Sequence, residues 1–208
     1  MFDLLLRPLK DRVSDPVARL LGRYVSPNSV TFISLLFGLA AGMAILFGKP
    51  GIGLIFWLLN RVTDGLDGTI ARVTGNSSDL GGYLDIMSDF LVYAVIPIAF
   101  AVHYTDPGLP TATMLLLAAF YINAGSWMYL SSLLEKRGRE GDFERGRGSS
   151  REITSVTMPE GLIGGTETVL FFTLFFLMPR FLVFLFSLMA ALTFISALQR
   201  VIRAFRQL

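Results

Sequence analysis

The sequence predicts an all-α integral membrane protein: a six-transmembrane-helix bundle carrying an N-terminal interfacial amphipathic helix. Composition is the first reason. Hydrophobic residues make up 53% of the 208, charged residues only 16%, and mean hydropathy is +0.60, which excludes a soluble domain with an ordinary core. The second reason is a series of six apolar stretches, at 30–47, 51–70, 82–103, 111–134, 162–178 and 181–199. Each approaches the ~20 residues that a bilayer crossing requires. Charge placement is the third. With six spans, only Lys49 and Arg180 of the 18 lysines and arginines fall on the side opposite the termini. The excess of basic residues predicts a multi-pass protein of the cell membrane with both termini in the cytoplasm.

Residues 1–25 read as the interfacial helix and 26–208 as the six-helix transmembrane domain. Leu9, Val13, Val17, Leu20, Leu21 and Tyr24 recur at helical spacing with charges between them, the pattern of a helix lying in the membrane interface. Asp15 and Pro16 suit a helix restart. The apolar run at 4–6 is too short for a cleavable signal. Ser26, Pro27, Asn28 and Ser29, just before the first span, read as a helix start with Ser and Asn caps. Between the fourth and fifth spans the basic stretch 136–151 is the one clearly soluble segment, read as a solvated loop that holds topology or as a binder of anionic lipid headgroups or of a phosphorylated substrate. The chain has no cysteine, which excludes disulfides, thiolate metal sites and cysteine nucleophiles. No nucleic-acid partner is expected.

The second and third spans carry the chemistry. Asp64 and Asp67 lie near the end of one, Asp85 and Asp89 near the start of the next. An ionised carboxylate within a membrane helix costs at least ~2.5–3.5 kcal/mol, so four require strong positive compensation. Spacings of i,i+3 and i,i+4 put each pair on one helix face. Two facing helices would present a carboxylate cage suited to hard cations such as Mg²⁺, Mn²⁺ or Ca²⁺. Gly68 and Arg72 follow Asp64 at successive helical turns. The glycine lets a bulky anion reach the backbone, and the arginine supplies charged donors for phosphate oxygens. Gly81 and Gly82 leave similar space before Asp85, and Ser77 and Ser78 add hydroxyl donors. Together these residues describe a diphosphate site served by one or two divalent ions. If an alcohol attacks the phosphorus, a base must take its proton. Asp89, deepest in its helix, is the candidate.

Asp64-x-x-Asp67-Gly68-x-x-Ala71-Arg72, eight residues, then Gly81-x-x-x-Asp85-x-x-x-Asp89 resembles the complete motif of the CDP-alcohol phosphotransferase (CDP-alcohol phosphatidyltransferase) family. The six spans, interfacial helix and cytoplasmic termini are also similar to that family. The resemblance implies that an acceptor hydroxyl attacks the β-phosphate of a CDP-linked lipid, CDP-diacylglycerol, and that CMP leaves. It implies two ions, Mg²⁺ or Mn²⁺, held by Asp64, Asp67 and Asp85, with Asp89 joining the second ion and acting as base. It assigns Gly68, Ala71, Arg72, Ser78 and Gly81 to the CDP-lipid, and Ser26, Pro27, Asn28 and Ser29 to its cytidine side. A homodimer in contact with membrane lipids is implied as well.

The acceptor is read from what replaces the family's basic residues. Members using inositol phosphate carry basic side chains at the cytoplasmic end of the fourth helix and an arginine opening the fifth. Here those stretches run from Tyr129 through Ser131 to Glu135 and from Gly164 through Thr166 to Glu167. The fixed cations are missing from both. Ser131, Glu160, Thr166 and Glu167 instead suit a small polar alcohol, either a neutral polyol or one bearing an amine, unless arginines of the 137–151 loop fold inward. Two rivals use similar groups. An aspartate-rich membrane prenyltransferase would need more helices and different spacings, and an ion- or proton-coupled transporter would show internal repeats.

Overall fold

A computed structural model describes residues 16–144 and 161–207. Among the described residues the chain is helical throughout, without a strand. A short helix α1 covers 16–21 and is followed by α2 (Pro27–Leu46), α3 (Pro50–Thr74), α4 (Asp79–His103), α5 (Leu109–Glu144), α6 (Gly165–Leu177) and α7 (Leu182–Gln207). Pro27 and Pro50 occupy the first turns of α2 and α3, where a missing N–H costs nothing. Ser26 and Ser78 cap α2 and α4 by accepting from the backbone N–H three residues on. Gly75, at φ +68°, ends α3 in the left-handed conformation that glycine adopts freely.

Among the described residues four helices are long and apolar enough to cross a membrane: α2, α4, α5 over Leu109–Arg137, and the run Pro179–Phe205 that includes α7. At 25 residues α3 is long enough, but Arg61, Asp64, Asp67 and Arg72 dilute its apolar character. The expected span 162–178 is corrected in length. Residues 162–164 are not helical, and α6 has only 13 residues, or ~20 Å at 1.5 Å per residue. Adjacent Gly164 and Gly165 delay its start, and Pro179 follows its end.

α2 lies along both α3 and α4, while α5 lies along α7. A Cβ on Gly38 or Gly42 would come within 2.3 Å or 2.5 Å of Val92 or Val95 side-chain atoms, so these valines of α4 pack directly on the α2 backbone. The main core gathers Trp57, Phe100, Phe172, Phe175, Phe186 and Met189, all fully buried. Of the expected interfacial helix at 1–25, residues 1–15 lie outside the described residues. The remainder is docked: Ala18 is buried with Val30 and Ile70.

Candidate functional site

The site lies where α3 and α4, both leaning on α2, carry their polar residues. Asp67 is 4% exposed, and its two oxygens are already engaged. Oδ2 accepts from Thr31 Oγ1 of α2 at 2.6 Å, and Oδ1 accepts from the Gly68 N–H at 2.5 Å. Asp89, on α4, accepts from Arg61 Nη2 at 2.8 Å through Oδ1 and from the Tyr93 hydroxyl at 3.2 Å through Oδ2. Arg61 also stands 3.5 Å from Asp64 Oδ2. One guanidinium therefore spans carboxylates of both helices. Asp64 and Asp85 are half-buried.

The expected four-carboxylate cage is not gathered around a single point. Among the described residues no three acidic, histidine or cysteine side chains form a ready ion site. Asp67 turns instead to Thr31, and Asp89 and Asp64 to Arg61. The helical placement of all four carboxylates is nevertheless the one their spacing predicts.

Space for a ligand is present. A Cβ on Gly68 would meet only Arg72 Nη1, at 3.8 Å, and one on Gly82 would meet nothing within 4 Å. Arg72 is exposed, its Nη2 3.1 Å from Thr69 Oγ1. Ala71 is half-buried below it and accepts from the Asn76 N–H at 3.0 Å. The turn before α2 joins this group. A Cβ on Gly81 would lie 3.1 Å from both Asn28 Oδ1 and Ser78 Oγ, so residues far apart in sequence share one rim. Ser26 Oγ accepts from the Ser29 N–H at 3.2 Å and lies 2.8 Å from Ser29 Oγ. Pro27 O accepts from Thr31 Oγ1 at 3.2 Å, which links the turn to the partner of Asp67.

On the proposed acceptor side, Ser131 is buried in α5 at 6% exposure, and Thr166 is half-buried at the start of α6. Glu167 accepts from the Gly164 N–H at 3.0 Å, as a helix-start carboxylate does. Glu160 lies outside the described residues. Two arginines that charge bookkeeping had assigned to topology are internal. Arg61 is one. The other, Arg200 of α7, is 6% exposed and donates to Asn123 of α5, while a Cβ on Gly161 would come within 2.7 Å of its Nη2. The signal that could have revealed Arg61 was its position, i,i+3 from Asp64 inside an apolar segment.

The model of the family described as CDP-alcohol phosphatidyltransferase matches residues 24–140. The "Inner membrane protein YnjF" of Escherichia coli is 30% identical over 177 residues, covering 85% of this chain and 82% of that protein. A "Bifunctional IPC transferase and DIPP synthase" of Thermococcus kodakarensis is 36% identical over 83 residues, which are 40% of this chain but only 19% of that protein. Among solved structures, Mycobacterium tuberculosis phosphatidylinositol phosphate synthase (PgsA1) with CDP-DAG bound superposes with a TM-score of 0.69 at 20% identity, covering 93% of this chain and 94% of the other. The same synthase with manganese and citrate gives 0.70. The structural likeness is one of fold. With motif and family match in agreement, the chain belongs to the CDP-alcohol phosphatidyltransferase family.

Proposed function

We propose that the aspartate cluster of α3 and α4 is the active site at which a phosphatidyl group passes from CDP-diacylglycerol to the hydroxyl of a small polar alcohol. The carrying observation is that the helices bearing the four aspartates also carry two unobstructed positions, Gly68 and Gly82, and that Asn28, Ser78 and Gly81 meet at the start of α4. The two open positions admit the diphosphate. Arg72 offers it charged donors, and the Ser26–Ser29 turn with Ser78 faces the nucleotide side. Asp89 takes the proton as the acceptor oxygen bonds to the β-phosphorus. The bond from that phosphorus to the bridging oxygen then breaks, and CMP leaves with it. All four carboxylates are hard oxygen donors, and no thiolate competes, so the donor set fits Mg²⁺ or Mn²⁺. Asp64, Asp67 and Asp85 would hold the ions together with Asp89. Such ions neutralise the phosphates and stabilise the leaving oxygen. A synthase of the same fold is described with manganese, which favours this reading.

In this reading α3 and the short α6 complete six crossings, residues 1–25 form the interfacial segment, 26–208 the catalytic domain, and the active protein is a homodimer. Both termini and the cavity mouth face the cytoplasm. The test is CMP release from CDP-diacylglycerol in detergent with serine, glycerol, inositol, glycerol 3-phosphate or inositol phosphate. Release should require an acceptor, stop with chelator and return with Mg²⁺ or Mn²⁺. No release with any acceptor would overturn the proposal.

A further inference from the structure

Arg61 is held on every side. Its guanidinium carbon lies 4.8 Å from the Trp57 ring centre and 5.3 Å from that of Tyr93, within cation–π range of both. Nε donates to Asn60 Oδ1 at 2.8 Å and Nη1 to the Tyr93 hydroxyl at 2.9 Å. Asn60, 1% exposed, is fixed in turn by donating to Ser34 O and Oγ of α2 at 2.8 Å and 2.9 Å. Trp57 donates to Thr173 of α6 at 3.1 Å and stacks on Phe172 at 5.1 Å. A chain of contacts from α2 and α6 therefore aims one guanidinium, its side chain 10% exposed, at Asp89 and Asp64. The rigid fork is what a lysine could not reproduce. A topology residue would need none of this.

We infer that Arg61 is the positioning residue for Asp89 and a fixed counter-charge that restrains the cation affinity of the aspartate cluster. The inference rests on the proposed role of that cluster. Arg61 fixes Oδ1 of Asp89 while Tyr93 fixes Oδ2, so the carboxylate presents its remaining lone pairs in one direction. The same positive charge opposes any cation that approaches Asp64 or Asp89. Removing it therefore has two effects of opposite sign: tighter ion binding and slower transfer. A purely structural arginine would weaken both.

The experiment measures Mn²⁺ binding by electron paramagnetic resonance, alongside kcat and KM for CDP-diacylglycerol, on full-length protein in detergent. Arg61→Gln should bind Mn²⁺ more tightly, on the order of tenfold, as expected for losing a unit charge at this range. Its kcat should fall about 10²-fold, the usual consequence of a misplaced catalytic group, with KM little changed. Arg61→Lys should keep near-normal Mn²⁺ affinity and still lose turnover. Unchanged or weaker Mn²⁺ binding by folded Arg61→Gln, or unimpaired kcat, overturns the inference. If that variant does not fold, Arg61→Lys decides: near-normal Mn²⁺ affinity with reduced kcat supports it, and wild-type kcat overturns it. Asp67→Asn separates the two levels. Loss of Mn²⁺ binding there keeps the site reading even if Arg61 fails, whereas wild-type binding removes the site reading and this inference with it.

Discussion

Asp64 and Asp89 look alike in sequence, each a carboxylate in an apolar helix, yet their settings differ. Asp89 has both oxygens tied to Arg61 and Tyr93, while Asp64 sits on α3 beside Asp67 and the open Gly68. Asp89→Asn should abolish transfer, lowering the rate by ~10²–10⁴-fold as general-base loss does. It should spare CDP-lipid binding more than Asp64→Asn, because Asp64 serves only the ions that the diphosphate needs whereas Asp89 shares an ion with other carboxylates and serves mainly as base. Rates and equilibrium binding of both variants check this, and near-normal turnover by Asp89→Asn would assign the base elsewhere. Arg72→Lys keeps a charge but loses the planar fork that spans two phosphate oxygens. Its KM for CDP-diacylglycerol should rise, and an unchanged KM would return Arg72 to topology. The aspartates, Gly68 and Arg72 were legible in sequence because local spacing alone puts them on shared faces. Thr31 against Asp67, and Arg61 against Asp89, were not, since each contact joins two helices whose relative register no single-helix pattern encodes.

At the level of helices, α2 is the spine on which both halves of the motif are mounted. Gly38 and Gly42 let α4 approach closely enough for Val92 and Val95 to fill the space where side chains would be. α3 is joined to the same helix through Ser34–Asn60 and Thr31–Asp67. The distance between Asp64 on α3 and Asp89 on α4 is thus set by two separate seams on α2. Gly38→Leu should push α4 outward, cost ~1–3 kcal/mol in the way overpacked cores do, and lower transfer by more than its effect on expression. Gly51, whose Cβ would meet nothing within 4 Å, is the control: Gly51→Ala should leave melting temperature and activity near wild type. Equal effects in the two variants would show that the α2–α4 contact does not set the site. The helices themselves were readable from apolar runs and proline or serine starts. α6 was overestimated because hydropathy counts Leu162 and Ile163 as span, whereas the helix starts only after Gly164, whose backbone is extended.

Taken as a whole, the molecule is polarised along its helices. The aspartates, Arg61, Arg72 and Arg200 occupy the half of the bundle toward the α3–α4 turn and the end of α7, while the large aromatic core of Phe100, Phe175 and Phe186 fills the other half. Two of the arginines counted for topology, Arg61 and Arg200, are internal partners of Asp89 and Asn123 rather than anchors. Without them the basic excess on the side proposed for the termini is still large, so the proposed orientation still follows from the positive-inside rule. Because the chain has no cysteine, single cysteines report on sidedness without interference. Asn76, exposed in the α3–α4 turn, should be labelled by an impermeant maleimide only after the cytoplasmic face is opened. Lys49, exposed between α2 and α3, should be labelled in intact cells. The two positions flank α3, so opposite accessibility also establishes that α3 crosses the bilayer despite its charges. Labelling of both from the same side would reduce the number of spans, and labelling of Asn76→Cys in intact cells would put the aspartate cluster on the outer face, away from cytoplasmic acceptors.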